Sequence, residues 1–359
     1  MIVYGSEYSY FTGKLEGYLR YKEIGYERRP LGVWMYSWKL RRLLGGAQLP
    51  TVRLDDGRWM TDTTPMIAWL EARCPDPPVI PAAEPIRLAA LLVEDFGDEW
   101  LWRPAMHYRW SHAADRDLLS RRLAAEVVRL PLPLALRGRW FARRQARLFV
   151  AGDGVDARTR PHVEAAYTRV LDILEPPLAR RPFLLGERPT IADFGMFGSM
   201  FRHFSLDPTP AAIMRERAPA VHGWVARVWA ARASRVRAAP LLDAFPADLE
   251  PLLAEAGRTH LPMLAANASA FAAGRPVHDF TAGGVTYRGV PTSRYRVWAL
   301  ARVRDALLDL AGDDRAAAEE LLGRTDCLAP LLAVDPPPSG HDPEGRAPFS
   351  RVARMVRDG

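Results

Sequence analysis

Cysteine is nearly absent from this 359-residue chain, with only Cys74 and Cys327 present. A disulfide framework is excluded, and two thiols so far apart suit a reducing compartment. Long hydrophobic runs are also missing, since no uncharged stretch approaches the ~18 apolar residues of a membrane span. The first residues, Met1-Ile2-Val3-Tyr4-Gly5-Ser6-Glu7, show neither a basic n-region nor an apolar h-region. No secretory leader is read there, and a cytoplasmic protein is expected. The eight histidines, His107 and His112 among them, form no HExxH or other metal-ligand spacing, and no CxxC pair is present, so no metal is expected. Gly45-Gly46 lacks the Lys-Ser/Thr sequel of a phosphate loop.

What is present is ordinary for a globular protein: 48% hydrophobic and 25% charged residues. That balance excludes wholesale disorder, collagen and coiled coil. Lys+Arg outnumber Asp+Glu by 49 to 42, a net +7 that tilts toward acidic partners without implying nucleic acid. The run Arg137-Gly138-Arg139-Trp140-Phe141-Ala142-Arg143-Arg144 interleaves basic and aromatic residues, as a polyanion site would. More often such a run is a solvated face whose arginine stems cover apolar neighbours. Neither nucleic acid nor membrane is expected as a partner. At ~150 residues per domain, the length predicts two or three domains.

Strand and helix signals alternate over the first eighty residues. Ile2-Val3-Tyr4 is a β-branched and aromatic run stopped by Gly5. Leu15, Tyr18 and Leu19 fall at i, i+3 and i+4, predicting a helix from Phe11 to about Glu23 that tolerates Gly17 at ~1 kcal/mol. Tyr26 to Leu31 is extended, and a Trp/Arg-rich stretch leads on to Gly45-Gly46. Pro50 to Leu54 and Arg58 to Met60 predict a hairpin across Asp55-Asp56-Gly57. Asp62 or Thr63 caps a helix carrying Met66, Ile67 and Leu70, with Pro65 in its first turn.

This β-α-β-α-β-β-α order makes an α/β module of residues 1–75, and a proline-rich linker follows at 76–84. Strand signals then nearly vanish through an all-helical segment, 85–245. Within it Val163, Ala166, Tyr167, Val170, Leu171 and Leu174 form a helical stripe. Pro131 and Pro133 break a long helical region. Thr190-Ile191-Ala192-Asp193 is a capping box with Asp where Glu is usual. An accessory helical region, 246–331, carries a small hairpin over Phe280 to Tyr287 and a helix over Tyr295 to Leu310. A flexible tail is expected over 332–359, with Pro336-Pro337-Pro338-Ser339-Gly340 as its signature.

Four of these pieces occur in a familiar order and spacing. They are Tyr4-Gly5-Ser6-x-x-Ser9-Tyr10-Phe11-x-x-Lys14, Leu49-Pro50, Asp62-Thr63-x-x-Met66-Ile67-x-x-Leu70-Glu71, and the Thr190–Asp193 box. Together they resemble the glutathione transferase superfamily over about residues 1–235. The resemblance implies a fold of α/β plus all-α class, a thioredoxin-like N-terminal domain followed by a helical domain, with glutathione as co-substrate. Residues after about 245 have no counterpart in that family's common core. Dimers are common in the family, so a homodimer is one expectation, although the extra residues would cover the usual interface.

The same resemblance implies a cis Leu49-Pro50 peptide, with the main chain of Leu49 free to pair with the cysteinyl unit of glutathione as an added strand. The plain alternative is that Pro50 simply opens an edge strand. Asp62-Thr63 stands where a strand feeds a helix, whose free N–H groups attract a carboxylate. Thr63 offers a hydroxyl, and Asp62 accepts from an ammonium group, one methylene shorter than the family's usual Glu or Gln. Both residues are also ordinary N-cap types. Gln48 matches a position that often contacts glutathione, and Lys39, Arg41 or Arg42 would balance its glycyl carboxylate.

Lowering a thiol's pKa from about 8.5 by two units requires about 2.7 kcal/mol of thiolate stabilisation. Ser9 falls on the position of the catalytic Ser or Cys, but the usual Ser-Pro-Tyr/Phe triplet reads Ser9-Tyr10-Phe11. Tyr10, or even Tyr8, is therefore an alternative phenolic donor, and the plain alternative for Ser9 is a helix N-cap on the N–H of Thr12. No cysteine occupies the position, which argues against a mixed-disulfide mechanism and leaves Cys74 as a structural thiol. A hydrophobic electrophile would lie between Ser9 and the helical domain, against Trp100, Trp102, Met106 or Trp110. The leading expectation is conjugation of the glutathione thiol to such an electrophile. The alternative is a non-catalytic module for protein association or ligand carriage.

Overall fold

A computed structural model describes residues 1–30, 38–46, 48–128 and 131–352. Residues 31–37 of the Trp/Arg-rich stretch and 353–359 of the expected tail lie outside the described residues. The first module runs β1 (Ile2–Gly5), α1 (Tyr10–Tyr21), β2 (Glu27–Pro30), α2 (Leu40–Leu44), β3 (Thr51–Arg53), β4 (Trp59–Thr61) and α3 (Thr63–Glu71). Its sheet has the order β2-β1-β3-β4, with β1 parallel to β2 and antiparallel to β3, and β4 at an open edge. Side chains alternate across this sheet. Val3 joins the main core with α1, whereas Tyr4 packs with Leu40 and Leu44 of α2 on the other face.

The stripe Leu15, Tyr18 and Leu19 is buried, as the spacing requires. Gly17 has a packing reason, because a Cβ there would fall 2.8 Å from the ring of Phe197. That ring belongs to the second region, which comprises α4 (Ile86–Asp95), α5 (Trp102–Ser111), α6 (Ala113–Val127), α7 (Leu134–Phe149), α8 (Arg160–Arg180), α9 (Ile191–Ser199), α10 (Pro208–Arg217), α11 (Pro219–Ala230) and α12 (Ala233–Val236). Pro131 and Pro133 fall between α6 and α7, where the helical signal breaks. The Thr190–Asp193 capping box forms in full at the start of α9. Asp193 also accepts from the Leu184 N–H and the Trp224 indole, each at 2.9 Å, so one buried carboxylate ties three segments.

The last region adds α13 (Glu250–Arg258), α14 (His260–Ala272), the hairpin β5 (Val277–Ala282) and β6 (Val285–Pro291), then α15 (Arg294–Leu308), α16 (Gly312–Arg324) and α17 (Leu328–Leu332). Gly283 and Gly284 turn the hairpin with positive φ, a conformation open to glycine. One continuous core includes Val3 at one end of the chain and Leu331 at the other. Every residue of α4 except Arg87 is buried, wrapped by α9, α13 and α15.

Acidic residues at the end of α4 and in the π-helical turn Phe96–Trp100 are matched by bases from the first and last regions. Lys14 on α1 bonds Glu94 at 2.7 Å and also Asp98. From the last region, Arg302 reaches Glu94 at 3.0 Å, His260 reaches Asp95 at 2.7 Å and Arg296 reaches Glu99 at 3.3 Å. Burial opposes the charge on Glu94, but Lys14 and Arg302 prevail and hold it below the usual carboxylate range. Burial pushes Asp98 up, Lys14 opposing it and the Glu94 charge adding to it.

Candidate functional site

The Leu49-Pro50 peptide is cis and leads directly into β3. Among the described residues, neither the N–H nor the C=O of Leu49 has a main-chain partner. Gln48 lies beside it, its carbonyl accepting the Thr51 hydroxyl at 2.7 Å. Gln48, Thr61, Asp62 and Pro65 line one side of a common cleft, which brings the residue before Leu49 together with the N-cap of α3. Asp62 is the N-cap of α3 at φ 71°, and its Oδ1 accepts the Thr64 N–H at 3.4 Å. Thr63 is the first residue of α3 and is buried. The Thr64 hydroxyl donates to Glu94 at 3.1 Å, so the helix tip is anchored to the ion network below it.

Ser9 is the N-cap of α1, and its Oγ accepts the Thr12 N–H at 3.3 Å. That bond uses a lone pair and leaves the hydroxyl proton free to donate, so cap and thiol donor are compatible roles. The loop carrying Ser9 is clamped from the helical region. Arg109 donates to the Tyr8 carbonyl at 2.6 Å, Arg202 donates to the Glu7 carbonyl, and the Ser6 hydroxyl donates to Glu126 at 2.6 Å. Arg109 is fixed in turn by Asp207 at 2.8 and 2.9 Å. Nothing in the sequence spacing marked Arg109, Arg202 or Glu126, because their partners are main-chain carbonyls or residues distant in sequence.

Tyr10, the alternative donor, does not face solvent. It is buried between α1 and the helical region, its hydroxyl donates to the Gly97 carbonyl, and burial raises its phenol well above the usual range. A neutral phenol already committed to a carbonyl cannot serve a thiolate. The proposed electrophile wall is corrected as well, since Trp100, Met106 and Trp110 are core residues. Trp102 is half-buried against Phe11 at 5.8 Å and Phe149 at 5.5 Å. Cys74 is exposed, whereas Cys327 is buried with its Sγ 3.0 Å from the Leu253 carbonyl and its thiol pushed up to about 12 by burial.

His107, His112 and Glu164 bring donor atoms within 4.8 Å of one another, the one such cluster among the described residues. The His107–Glu164 contact at 2.9 Å is an ordinary hydrogen bond, and the buried Nδ1 of His107 has no partner to orient the ring as a ligand. Among the described residues, no helix is long and apolar enough to cross a membrane.

Two family models match the chain: the glutathione S-transferase N-terminal domain over residues 8–73, and the corresponding C-terminal domain over residues 144–231. Both matched regions belong to the glutathione S-transferase superfamily. Ser9, Leu49, Pro50, Asp62 and Thr63 all lie inside the first match. Similar solved structures include a glutathione S-transferase from Rhodospirillum rubrum, at 18% identity over 66% of this chain and 90% of that one, with a TM-score of 0.42. Another is a transferase from Methylobacterium radiotolerans in complex with glutathione sulfonate, at 19% identity over 64% and 92%, TM-score 0.38. A third is a beta-etherase from Sphingobium, at 17% identity over 66% and 97%, TM-score 0.46. No curated protein matches the chain.

Here the cleft has an occupant from its own chain. The segment expected as a flexible tail packs against the first module instead. Its Pro348 carbonyl accepts the Thr61 N–H at 2.9 Å on the open edge of β4, and the Val352 N–H donates to the Leu44 carbonyl at 2.7 Å. His341 Nε2 lies 3.2 Å from Asp62 Oδ2. The local turn is held by Asp342, which accepts from the N–H groups of Arg346 and Ala347 at 3.0 Å and from the Ser350 hydroxyl. Isolated anchors on a proline-rich background carry no period, which is why the sequence read as coil.

Proposed function

We propose that this chain binds glutathione in the cleft between Leu49 and the tip of α3 and adds its thiol to an electrophilic small molecule. One observation carries the reading: among the described residues the main chain of Leu49 has no main-chain partner, and its neighbour Gln48 shares a cleft with Asp62, the N-cap of α3. The cysteinyl unit pairs with Leu49 as a short added strand. The γ-glutamyl carboxylate meets the N–H groups and Thr63 hydroxyl at the helix tip, and its ammonium meets Asp62. Gln48 adds a side-chain contact from the same cleft.

Ser9 donates its free hydroxyl proton to the sulfur and favours the thiolate. The thiol proton leaves to solvent, the sulfur lone pair forms a C–S bond to the electrophilic carbon, and the displaced group departs with the bonding electrons. A reducing, cytoplasmic setting keeps glutathione in the required thiol form. The second reading, a non-catalytic module, is favoured by one observation, the tail lying in the cleft.

Calorimetric titration with glutathione, paired with a conjugation assay on an aryl halide, tests the reading. Ser9→Ala is expected to keep glutathione affinity, lower conjugation by at least about tenfold, and destabilise α1 by about 1 kcal/mol through loss of the cap. Conjugation undiminished in Ser9→Ala would remove Ser9 from the chemistry. No glutathione binding at millimolar concentration by a chain whose tail is displaced would remove the reading itself.

A further inference from the structure

The tail meets the cleft at the groups that a bound tripeptide would need. His341 places an imidazole nitrogen 3.2 Å from the Asp62 carboxylate, the acceptor assigned to the ligand's ammonium. Pro348 supplies a carbonyl to Thr61, so the tail, like an extended ligand, adds main chain to the sheet edge. Between Gln48, Thr61, Asp62 and Pro65 on one side and the tail on the other, the remaining space is about 10 Å³. That is about the size of one solvent probe and far below the room a tripeptide needs. We propose that residues 339–352 are a tethered occupant of the cleft, which competes with glutathione and must withdraw before it binds. This inference rests on the glutathione reading of the cleft.

The tail is held by side chains as well as main chain. His341 sits against Tyr295 and Trp298 of α15, with ring centroids at 5.0 and 5.4 Å. Phe349 meets Trp69 edge-on at 5.3 Å, and the Arg58 guanidinium lies 4.5 Å from the Phe349 ring centroid as a cation–π partner. Val352 packs against the Tyr4, Leu40 and Leu44 cluster. The accessory region thereby has a task at the cleft, because α15 builds half of the His341 socket. Phe349 rests only partly buried on the main core and Val352 on the smaller Tyr4 cluster, so these anchors lie on the surface of both.

Competition of this kind has a simple measure. A cleft open in one molecule out of ten binds its ligand tenfold more weakly than one always open. Two variants of the full chain move that fraction in opposite directions. His341→Ala/Phe349→Ala removes two anchors. Gly46→Cys/Val352→Cys in a Cys74→Ser background fixes the tail in place, because a Cβ at Gly46 would stand 3.1 Å from Val352 Cβ, near disulfide reach. S-methylglutathione is the probe, since its blocked sulfur cannot reduce the lock.

Calorimetric titration is expected to show at least about tenfold tighter binding by the anchor variant than by the unaltered chain. The oxidised lock is expected to show no binding, and dithiothreitol is expected to restore it. Equal binding by the oxidised lock and the anchor variant would overturn the tethered occupant while leaving the glutathione site standing. Absence of binding by every form, with the anchor variant folded by circular dichroism, would overturn the glutathione reading and this inference with it. If the anchor variant does not fold, the lock alone decides, because its oxidised and reduced forms are the same chain.

Discussion

Lys14 of α1 and Glu94 of α4 meet at 2.7 Å with neither side chain reaching solvent. The pair joins the first module to the helical region, and Arg302 extends it to the third. A cation so deeply placed is tolerated only because carboxylates and the Thr64 hydroxyl surround it.

Removing that cation leaves Glu94 and Asp98 buried without their shared partner. Lys14→Met is expected to destabilise the chain by about 3–5 kcal/mol in urea unfolding. A loss below ~1 kcal/mol would mean that water reaches the pair.

Tyr10 is buried, with its hydroxyl turned to the Gly97 carbonyl. Tyr10→Phe leaves the Gly97 carbonyl without its donor and is expected to lose about 1–3 kcal/mol of stability. Glutathione conjugation per folded molecule should be unchanged, and a fall in its rate constant alone would return Tyr10 to the mechanism.

The two thiols differ in access and in acidity. Cys74 is exposed, whereas burial of Cys327 pushes its thiol up to about 12 and starves it of thiolate near neutral pH. A maleimide is expected to modify one thiol in the native chain and two in denaturant, with mass spectrometry placing the first at Cys74. Native labelling of Cys327 would show that the packing of α17 opens.

Partial burial opposes the charge on Asp342, but bonds from Ser350, Ala347 and Arg346 outweigh it and lower the pKa beneath the ordinary 3.8. A depressed carboxylate stabilises the folded turn fully above the ordinary value and loses that contribution as pH falls through the lowered one. In an NMR titration the Arg346 and Ala347 amide signals should therefore shift with a midpoint below 3.8. A midpoint at or above 3.8 would mean that the turn does not hold in solution.

Much of the architecture was legible because it rests on local rules. The apolar spacing of Leu15, Tyr18 and Leu19 set the buried face of α1, and Pro131 and Pro133 marked the gap between α6 and α7. The Thr190–Asp193 box declared the start of α9 through chemistry confined to four residues. What stayed hidden depends on partners distant in the chain. Ser9 and Tyr10 are neighbours, and packing against the helical region, through Gly97, Trp102 and Gly198, turns the phenol inward. Trp100, Met106 and Trp110 read equally as pocket wall or core, since a helical stripe has the same period in both. The clamps from Arg109 and Arg202 on the Ser9 loop have no local signature at all.

The wrapping of α4 has a consequence for descent. Were the chain cut at residue 245, Glu94 and Asp95 would lose Arg302 and His260, and Glu99 would lose Arg296. Exchange of the final third between relatives by recombination would likewise separate acids from the bases matched to them. Acids of the middle region thus depend on bases that the first and last regions supply.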